Sequence, residues 1–103
     1  MLLIREVFHC KPGKVRPLVE KFQAMGKLMQ SAGQGGMRLM TDLAGERYWT
    51  LVAEMEVESL AAFDAMMAGQ GMSEEMQKEF GRVSEGYHEL VDCGRREIFK
   101  IEG

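Results

Sequence analysis

The chain has 103 residues, 46% of them hydrophobic, which suits a single compact domain over residues 1–103. Thirteen Lys and Arg residues against sixteen Asp and Glu residues give a formal net charge of −3, which argues against a nucleic-acid-binding protein because phosphate contacts need a basic surface. No apolar run approaches the ~20 residues of a membrane span. The N-terminus becomes charged at Arg5, which a signal peptide does not. Two cysteines are too few for a disulfide framework. We therefore expect a cytoplasmic protein with no membrane or nucleic-acid partner.

The first third of the chain predicts a strand followed by a helix. Residues 2–10 alternate, and both faces of the strand are partly apolar, which is typical of a central strand. Lys-Pro-Gly at 11–13 ends the strand, because proline lacks the backbone donor and glycine allows a sharp turn. A helix over residues 14–31 follows, since its apolar side chains recur every three or four positions. These are Val15, Leu18, Val19, Phe22, Met25 and Met29.

The rest of the chain predicts two strands, a broken helix and a last strand. The predicted elements are strands over 37–43 and 47–57, a helix from Leu60, a second helical segment from Ser73 to Leu90, and a strand over 93–101. Ser59 and Ser73 are the expected N-caps, because their hydroxyls can accept a bond from a free N–H of the first helical turn. Gly69 and Gly71 break the helical region, since each glycine costs about 1 kcal/mol relative to alanine. The resulting loop over residues 68–72 is expected to be exposed and mobile, and to act as a lid if a pocket lies below it.

This element order predicts an α+β, ferredoxin-like βαββαβ fold. Its four-stranded antiparallel sheet has the strand order 4-1-3-2, with both helical regions on one side and the second helix broken. The other sheet face then carries Leu3, Val7, Tyr48 and Val52, an apolar patch of the size that marks an interface. We therefore expect a homodimer that forms through this sheet face.

The pairing of the first and last strands can be predicted from charge. Placing Cys10 opposite Cys93 sets Glu6 against Glu97, and like charges facing each other destabilise a sheet. A shift by one residue gives two opposite-charge pairs and two apolar pairs instead. These are Glu6 with Arg96, Arg5 with Glu97, Ile4 with Ile98, and Leu3 with Phe99. In that register Cys10 faces Asp92 and His9 faces Cys93, so both thiols are expected to be free.

Two stretches resemble a known superfamily, the dimeric α+β barrel proteins. Residues 5–14, Arg-Glu-Val-Phe-His-Cys-Lys-Pro-Gly-Lys, resemble the first strand and turn of NIPSNAP-like and antibiotic-biosynthesis-monooxygenase-like members. Residues 48–51 and 59–63 resemble their third strand and the start of the following helix. The resemblance implies that two sheets pack face to face with the helices outside. It also implies that the substrate pocket of the monooxygenase-like members lies between the sheet and the helices of each subunit. Because the superfamily is functionally mixed, the resemblance carries the fold rather than a reaction.

The candidate catalytic residues are Glu6, His9 and His88. Glu6 shares a strand face with Ile4 and Phe8, and a carboxylate in such apolar surroundings needs a partner or a raised pKa. Perturbed groups of this kind are enriched at active sites, but structural ion pairs are commoner, and a pair with Arg96 or Arg38 is the favoured explanation for Glu6. The two histidines titrate near neutral pH, His9 at the rim of the sheet and His88 at a helix end. Structural or solvent-exposed roles are the alternative for both.

Neither a metal nor a cofactor is expected. His88, Glu89, Asp92 and Cys93 form a small group of possible ligands, but no third and fourth ligand follow at a recognisable spacing. The chain has no nucleophile elbow, phosphate-binding loop, His-Glu-x-x-His or Cys-x-x-Cys motif. The Gly-rich stretch at 33–36 leads out of a helix into a strand, the reverse of a phosphate cradle.

Ten methionines are the most unusual feature of the composition. Methionine fills irregular gaps in a core and also lines adaptable binding surfaces, so a soft core and a ligand pocket are both open interpretations. The residues expected around such a pocket are Glu6, Phe22, Met25, Trp49, Met67 and Phe80.

Two functions remain open from the sequence. One is a cofactor-independent, monooxygenase-like or isomerase-like enzyme that binds a small apolar organic molecule. The other is a non-catalytic dimeric module for binding or assembly. An open pocket of a few hundred Å³ with polar groups near Glu6 favours the first, and a sealed sheet–helix space favours the second.

Overall fold

The computed structural model describes all 103 residues and has the predicted ferredoxin-like α+β fold. Its elements are β1 (Leu2–Cys10), α1 (Val15–Ser31), β2 (Arg38–Thr41), β3 (Thr50–Val57), α2 (Leu60–Met67), α3 (Glu74–Ser84), a 3₁₀ helix (Tyr87–Leu90) and β4 (Val91–Lys100). All strand pairs are antiparallel in the order β2-β3-β1-β4, which is the predicted order 4-1-3-2 read from the other edge. The helices cover one sheet face, here called the helix-facing side, and the opposite face is the open face. None of the helices combines the length and apolar character that crossing a membrane requires.

Helix α1 forms the centre of the core because its apolar stripe meets the two central strands. Leu18 and Val19 are buried against Cys10 at the end of β1 and Leu51 in β3. The turn that starts the helix passes through Gly13, whose φ of 77° is one that a side chain disfavours. The predicted start and end of this helix are therefore confirmed within one residue.

The second helical region is broken where the glycines predicted a break. The Ser59 hydroxyl accepts a bond from the Ala62 N–H at 3.1 Å, and the Ser73 hydroxyl accepts one from the Met76 N–H at 3.2 Å. Between the two helices, Gly69 and Gly71 have φ values of 80° and 85°. The glycines and both caps thus produce the break as expected.

The end of this region differs from the prediction. Helix α3 stops at Ser84, and a separate 3₁₀ helix covers Tyr87–Leu90, whereas the apolar spacing predicted one helix to Leu90. The chain turns at Gly86, which has a φ of 79°. A residue in the left-handed conformation cannot continue an α-helix. The chain therefore changes direction at Gly86, and Tyr87 and Leu90 pack against the core from the 3₁₀ helix.

Strands β2 and β3 are shorter than predicted, and the loop between them is longer. The Thr50 N–H donates to the Asp42 carboxylate at 2.8 Å, and the Thr50 hydroxyl donates to the Arg47 carbonyl at 2.9 Å. These bonds close a loop over residues 42–49 in which Trp49 has a φ of 61°. Trp49 therefore leaves the helix-facing side, and the exposed Tyr48 lies in the loop rather than on the open face, which corrects both placements.

The predicted register of β1 and β4 is confirmed. Glu6 faces Arg96, Arg5 faces Glu97, Ile4 faces Ile98, Leu3 faces Phe99 and His9 faces Cys93. A bulge after His9 places Cys10 opposite Val91 instead of Asp92, because an extra residue in one strand shifts the pairing beyond it. Cys10 is buried and Cys93 is exposed, and both thiols are free as predicted.

Candidate functional site

A cavity of about 450 Å³ lies between the helix-facing side of the sheet and the helices. Twenty residues line it, and 14 of them are hydrophobic. The sheet supplies its floor through Glu6 and Phe8 of β1, Ala53 and Met55 of β3, and Arg96 of β4. A smaller depression of about 330 Å³ lies between α1 and β2, and three of its seven lining residues are hydrophobic. The larger cavity is therefore the candidate site.

The cavity walls are built from methionine and aromatic side chains. Seven of the ten methionines line it: Met25, Met29, Met37, Met55, Met66, Met67 and Met72. At the other end the Phe8 ring lies 5.3 Å from Phe22 and 6.4 Å from Tyr87, measured between centroids. Gly94 allows this arrangement, because a Cβ there would lie 3.1 Å from the Phe8 ring and 3.2 Å from the Val7 carbonyl oxygen. The walls thus combine a fixed aromatic end with a flexible thioether end.

Glu6 and Arg96 are the only charged residues that line the cavity. The Arg96 Nε donates to a carboxylate oxygen of Glu6, so the register of β1 and β4 creates this ion pair. The guanidinium carbon of Arg96 lies 5.0 Å from the centre of the buried Phe63 ring, a cation–π contact that fixes its orientation. Of the two partners predicted for Glu6, Arg96 is the one that pairs with it, since Arg38 lies on the open face and bonds Glu54.

The loop between α2 and α3 borders the cavity, as the glycine pattern indicated. The Gln77 Nε2 donates to the carbonyls of Gly69 and Met72 at 3.2 and 3.3 Å, and the Gln34 Nε2 donates to the Gln70 carbonyl at 3.4 Å. Both glutamines line the cavity themselves. The loop is thus held at the cavity edge by side chains that a ligand would contact.

The structure brings together most of the residues expected around the pocket. Glu6, Phe22, Met25, Met67 and Phe80 all line the cavity. Trp49 does not, because its left-handed backbone turns it away from the helix-facing side. Trp49 was expected in the cavity because the apolar alternation includes it, and the alternation does not indicate that β3 begins at Thr50.

The two candidate histidines lie outside the cavity. His88 is exposed in the 3₁₀ helix, where its ring packs against Tyr87 with centroids 3.9 Å apart. His9 is on the open face and is only 8% exposed. Neither histidine therefore lies beside Glu6 in the cavity, and a catalytic role for either one stays a prediction.

His9 instead belongs to a hydrogen-bonded chain on the open face. Its Nε2 lies 3.4 Å from Arg95 Nη1, and its Nδ1 lies 3.2 Å from the Thr50 hydroxyl oxygen. Because arginine only donates, Nε2 accepts and Nδ1 carries the proton, which makes the imidazole neutral. Burial, and then the positive charges of Arg47 and Arg95, lower the pKa of His9 from its ordinary value.

Glu54 forms a second charged centre on the same face. It is only 6% exposed, and its carboxylate accepts bonds from Arg38 Nη2 and Arg5 Nε, both at 2.7 Å. These two bonds, with that of Arg38 the larger effect, lower the pKa of Glu54. This centre was not predicted from the sequence, although Glu54 shares its strand face with the apolar Val52, which is a signal that its carboxylate needs cationic partners.

No group of three or more His, Cys, Asp and Glu side chains is arranged to hold a metal ion. Asp92 and Cys93 lie in β4, whereas His88 and Glu89 lie in the preceding 3₁₀ helix. The possible ligands of the sequence therefore do not form a metal site in this structure.

Comparison with known proteins adds the fold context. No protein-family model and no curated protein matches the chain. An antibiotic biosynthesis monooxygenase structure covers 100% of both chains with a TM-score of 0.71 and 15% identity. A NIPSNAP domain protein from Burkholderia xenovorans covers 99% of this chain and 95% of its own, with a TM-score of 0.70 and 14% identity. A NIPSNAP family protein from Agrobacterium tumefaciens covers 98% and 92%, with a TM-score of 0.72 and 13% identity.

The chain has the fold of the NIPSNAP-like and antibiotic-biosynthesis-monooxygenase-like proteins. This confirms the resemblance drawn from the first strand and the third strand. At these identities the similarity extends to the fold alone, so the chemistry of this chain must be argued from its own cavity.

Proposed function

We propose that this protein binds a small, mostly apolar organic molecule in the cavity between its sheet and its helices. The observation that carries the proposal is the cavity itself, about 450 Å³ in volume and lined by 14 hydrophobic residues out of 20. Ligand pockets typically measure ~300–1,000 Å³, are mainly apolar, and contain a few polar groups that fix orientation. The Glu6–Arg96 pair is the charged group of this cavity.

A packing defect is a poor explanation for so large a space. Exposed side chains, among them Met67, Gln77 and Arg96, line the space, so it is an open cleft that a ligand can enter rather than a void in the core. The methionine side chains on three elements supply flexible walls that adapt to a bound molecule. Ligand binding accounts for both features, whereas a module that only assembles needs neither.

Binding is better supported than catalysis. The cavity contains one carboxylate, Glu6, and no histidine, and that carboxylate is already paired with Arg96. General acid–base catalysis needs a group that can hold and release a proton beside the reacting atoms. A monooxygenase-like or isomerase-like reaction on the bound molecule is therefore the second candidate, and it rests on the position of Glu6 in the cavity floor.

We infer that two copies associate through the open face. Leu3, Val7, Met40, Val52 and Phe99 contribute apolar surface to that face. Several charged residues of the same face are already bonded to one another, as in the Arg5–Glu54–Arg38 group, which lowers the cost of covering them in an interface. The fold resemblance, in which two sheets pack face to face, supports the same arrangement.

Filling the cavity tests the ligand-binding proposal. Met55→Trp adds a large ring to the cavity floor and should weaken binding of the probe 2-methylnaphthalene by about tenfold or more, measured by isothermal titration calorimetry. Met76→Trp is the matched control, because Met76 is a half-buried methionine of α3 that does not line the cavity. Wild-type protein that binds no probe up to its solubility limit would contradict the proposal, as would equal affinities for wild type and Met55→Trp.

A further inference from the structure

The Glu6–Arg96 pair leaves specific hydrogen-bonding atoms free in the cavity. Arg96 uses its Nε to donate to Glu6 Oε1, and neither residue has another hydrogen-bond partner in the chain. The second carboxylate oxygen of Glu6 and the terminal nitrogens of Arg96 therefore remain unpaired. One is an acceptor and the others are donors, and they lie side by side.

The positions of these atoms are constrained. The Glu6 side chain is 19% exposed, and its strand is central in the sheet. The Arg96 side chain is 43% exposed, and its guanidinium is held on one side by Glu6 and on another by the buried ring of Phe63 at 5.0 Å. A ligand that enters the cavity thus meets an acceptor and a donor next to each other in the floor.

Three other polar side chains of the cavity already make hydrogen bonds within the chain. The amide hydrogens of Gln34 and Gln77 donate to carbonyls of the loop between α2 and α3, and the Ser84 hydroxyl donates to the Gly81 carbonyl. A ligand would have to break these bonds to use the same donors. The free atoms of Glu6 and Arg96 have no bond within the chain to give up, so a ligand has only to displace water from them.

The net charge of the pair determines which ligands fit. A carboxylate that approaches Arg96 is repelled by Glu6, and an ammonium that approaches Glu6 is repelled by Arg96. Either ion also loses its water shell in an apolar cavity without a full opposite charge in return. A neutral group that donates to Glu6 and accepts from Arg96 satisfies both residues.

We propose that the cavity selects neutral, apolar ligands whose polar group both donates and accepts a hydrogen bond, as a primary amide or a hydroxyl beside a carbonyl does. This inference rests on the proposed ligand-binding function and specifies its ligand class. It assigns Glu6 and Arg96 as the specificity-determining residues, with Glu6 taking the ligand's hydrogen and Arg96 supplying one.

A series of four naphthalene probes tests the ligand class in the wild-type protein. The probes are naphthalene-2-carboxamide, naphthalene-2-carboxylate, the ammonium form of 2-(aminomethyl)naphthalene, and 2-methylnaphthalene. They share one ring system and differ in charge and hydrogen bonding. We expect the carboxamide to bind about tenfold or more tightly than either ion, and more tightly than the methyl compound, by isothermal titration calorimetry.

Charge variants test the assignment of the two residues. Glu6→Gln leaves the Arg96 charge alone and should shift the preference to the carboxylate probe, whereas Arg96→Gln leaves the Glu6 charge alone and should shift it to the ammonium probe. The double variant is again neutral and should keep the carboxamide preference. Arg82→Gln removes an exposed arginine of α3 that pairs with Glu79 away from the cavity, and should keep the wild-type order.

The outcomes separate this inference from the proposed function. If no probe binds the wild-type protein, the ligand-binding function fails. If the methyl compound binds as tightly as the carboxamide, or an ion binds best, the function stands and the neutral ligand class is overturned. If a single variant does not fold, which circular dichroism detects, the wild-type order and the double variant still decide.

Discussion

His9 is buried beside two guanidinium groups, and this placement ties stability to pH. In an unfolded chain histidine has a pKa of about 6.5, and in the folded chain burial and then Arg47 and Arg95 lower that pKa. Between the two values the unfolded chain binds more protons, so the free energy of unfolding rises with pH. The full contribution is present above about pH 6.5 and is lost as the pH falls toward the folded value.

We therefore expect the free energy of unfolding to decrease between about pH 7.5 and about pH 5.5, with part of the decrease due to His9. His9→Gln removes the ionisable ring and should make the decrease smaller, measured by urea unfolding at both pH values. His88→Gln is the control, because His88 is exposed and should leave the wild-type decrease unchanged. An equal pH dependence in His9→Gln and the wild type would show that His9 is not the titrating group.

Glu54 illustrates which residue-scale feature the sequence could have indicated. A glutamate in a central strand next to Val52 has to find cations on its own sheet face, and Arg38 on β2 and Arg5 on β1 lie opposite it. Predicting this pair of bonds needs the register of β1 with β3 and of β2 with β3. Only the register of β1 with β4 was derived from the sequence, so the Glu6 partner was found and the Glu54 partners were not.

At the scale of elements, Gln77 makes two of the three hydrogen bonds by which glutamine side chains hold the loop between α2 and α3. The Gln77 Nε2 donates to both the Gly69 and the Met72 carbonyls, which spans the two glycines with positive φ. Gln77→Met removes both bonds while keeping a side chain of similar length. We expect faster amide exchange over residues 68–72 in this variant, because less energy is needed to open the loop.

Hydrogen–deuterium exchange with mass spectrometry provides the measurement. Gln23→Met is the matched control, since Gln23 is an exposed glutamine of α1 far from this loop in the chain. The wild-type loop should also exchange faster than α1, because its residues are mostly exposed. Exchange over residues 68–72 that is unchanged in Gln77→Met, or as slow as in α1, would contradict the lid interpretation.

The elements were predictable where the signal is local, and not where it depends on distant pairing. Ser59, Ser73 and the glycines act within a few residues, so the caps and the break followed from the sequence. The start of β3 depends on the Asp42 carboxylate capturing the Thr50 N–H, a bond across eight residues. The apolar alternation continues back through Trp49, so the predicted strand was too long and Trp49 was expected in the cavity.

At the scale of the whole molecule, a single chain leaves apolar side chains of the open face in contact with water. The chain measures 36 × 35 × 18 Å, a slab with one helix layer and one sheet layer. Only 12 of its 103 residues are buried, and Phe99 on the open face is 45% exposed. A second copy that covers this face would remove its apolar area from water, which is the dominant favourable contribution to most protein–protein association.

We expect the wild-type protein to have twice the mass of the 11.6 kDa chain in light scattering at micromolar concentration. Val52→Lys places a charge at the centre of the open face, where no carboxylate is free because Glu54 is held by Arg5 and Arg38. This variant should lose the dimer or unfold, since an unpaired buried charge is strongly destabilising. Leu60→Lys, on the exposed surface of α2, makes the same change in charge outside the face and should remain a dimer.

The wild-type measurement decides the assembly even if Val52→Lys does not fold. A monomer mass for the wild-type chain would contradict association through the open face. Dissociation by both lysine variants would point to a general effect of added charge instead. Val52 lies on the central strand β3, so any sheet-on-sheet contact through this face has to cover it. A Val52→Lys variant that remains a dimer would therefore show that the interface lies elsewhere.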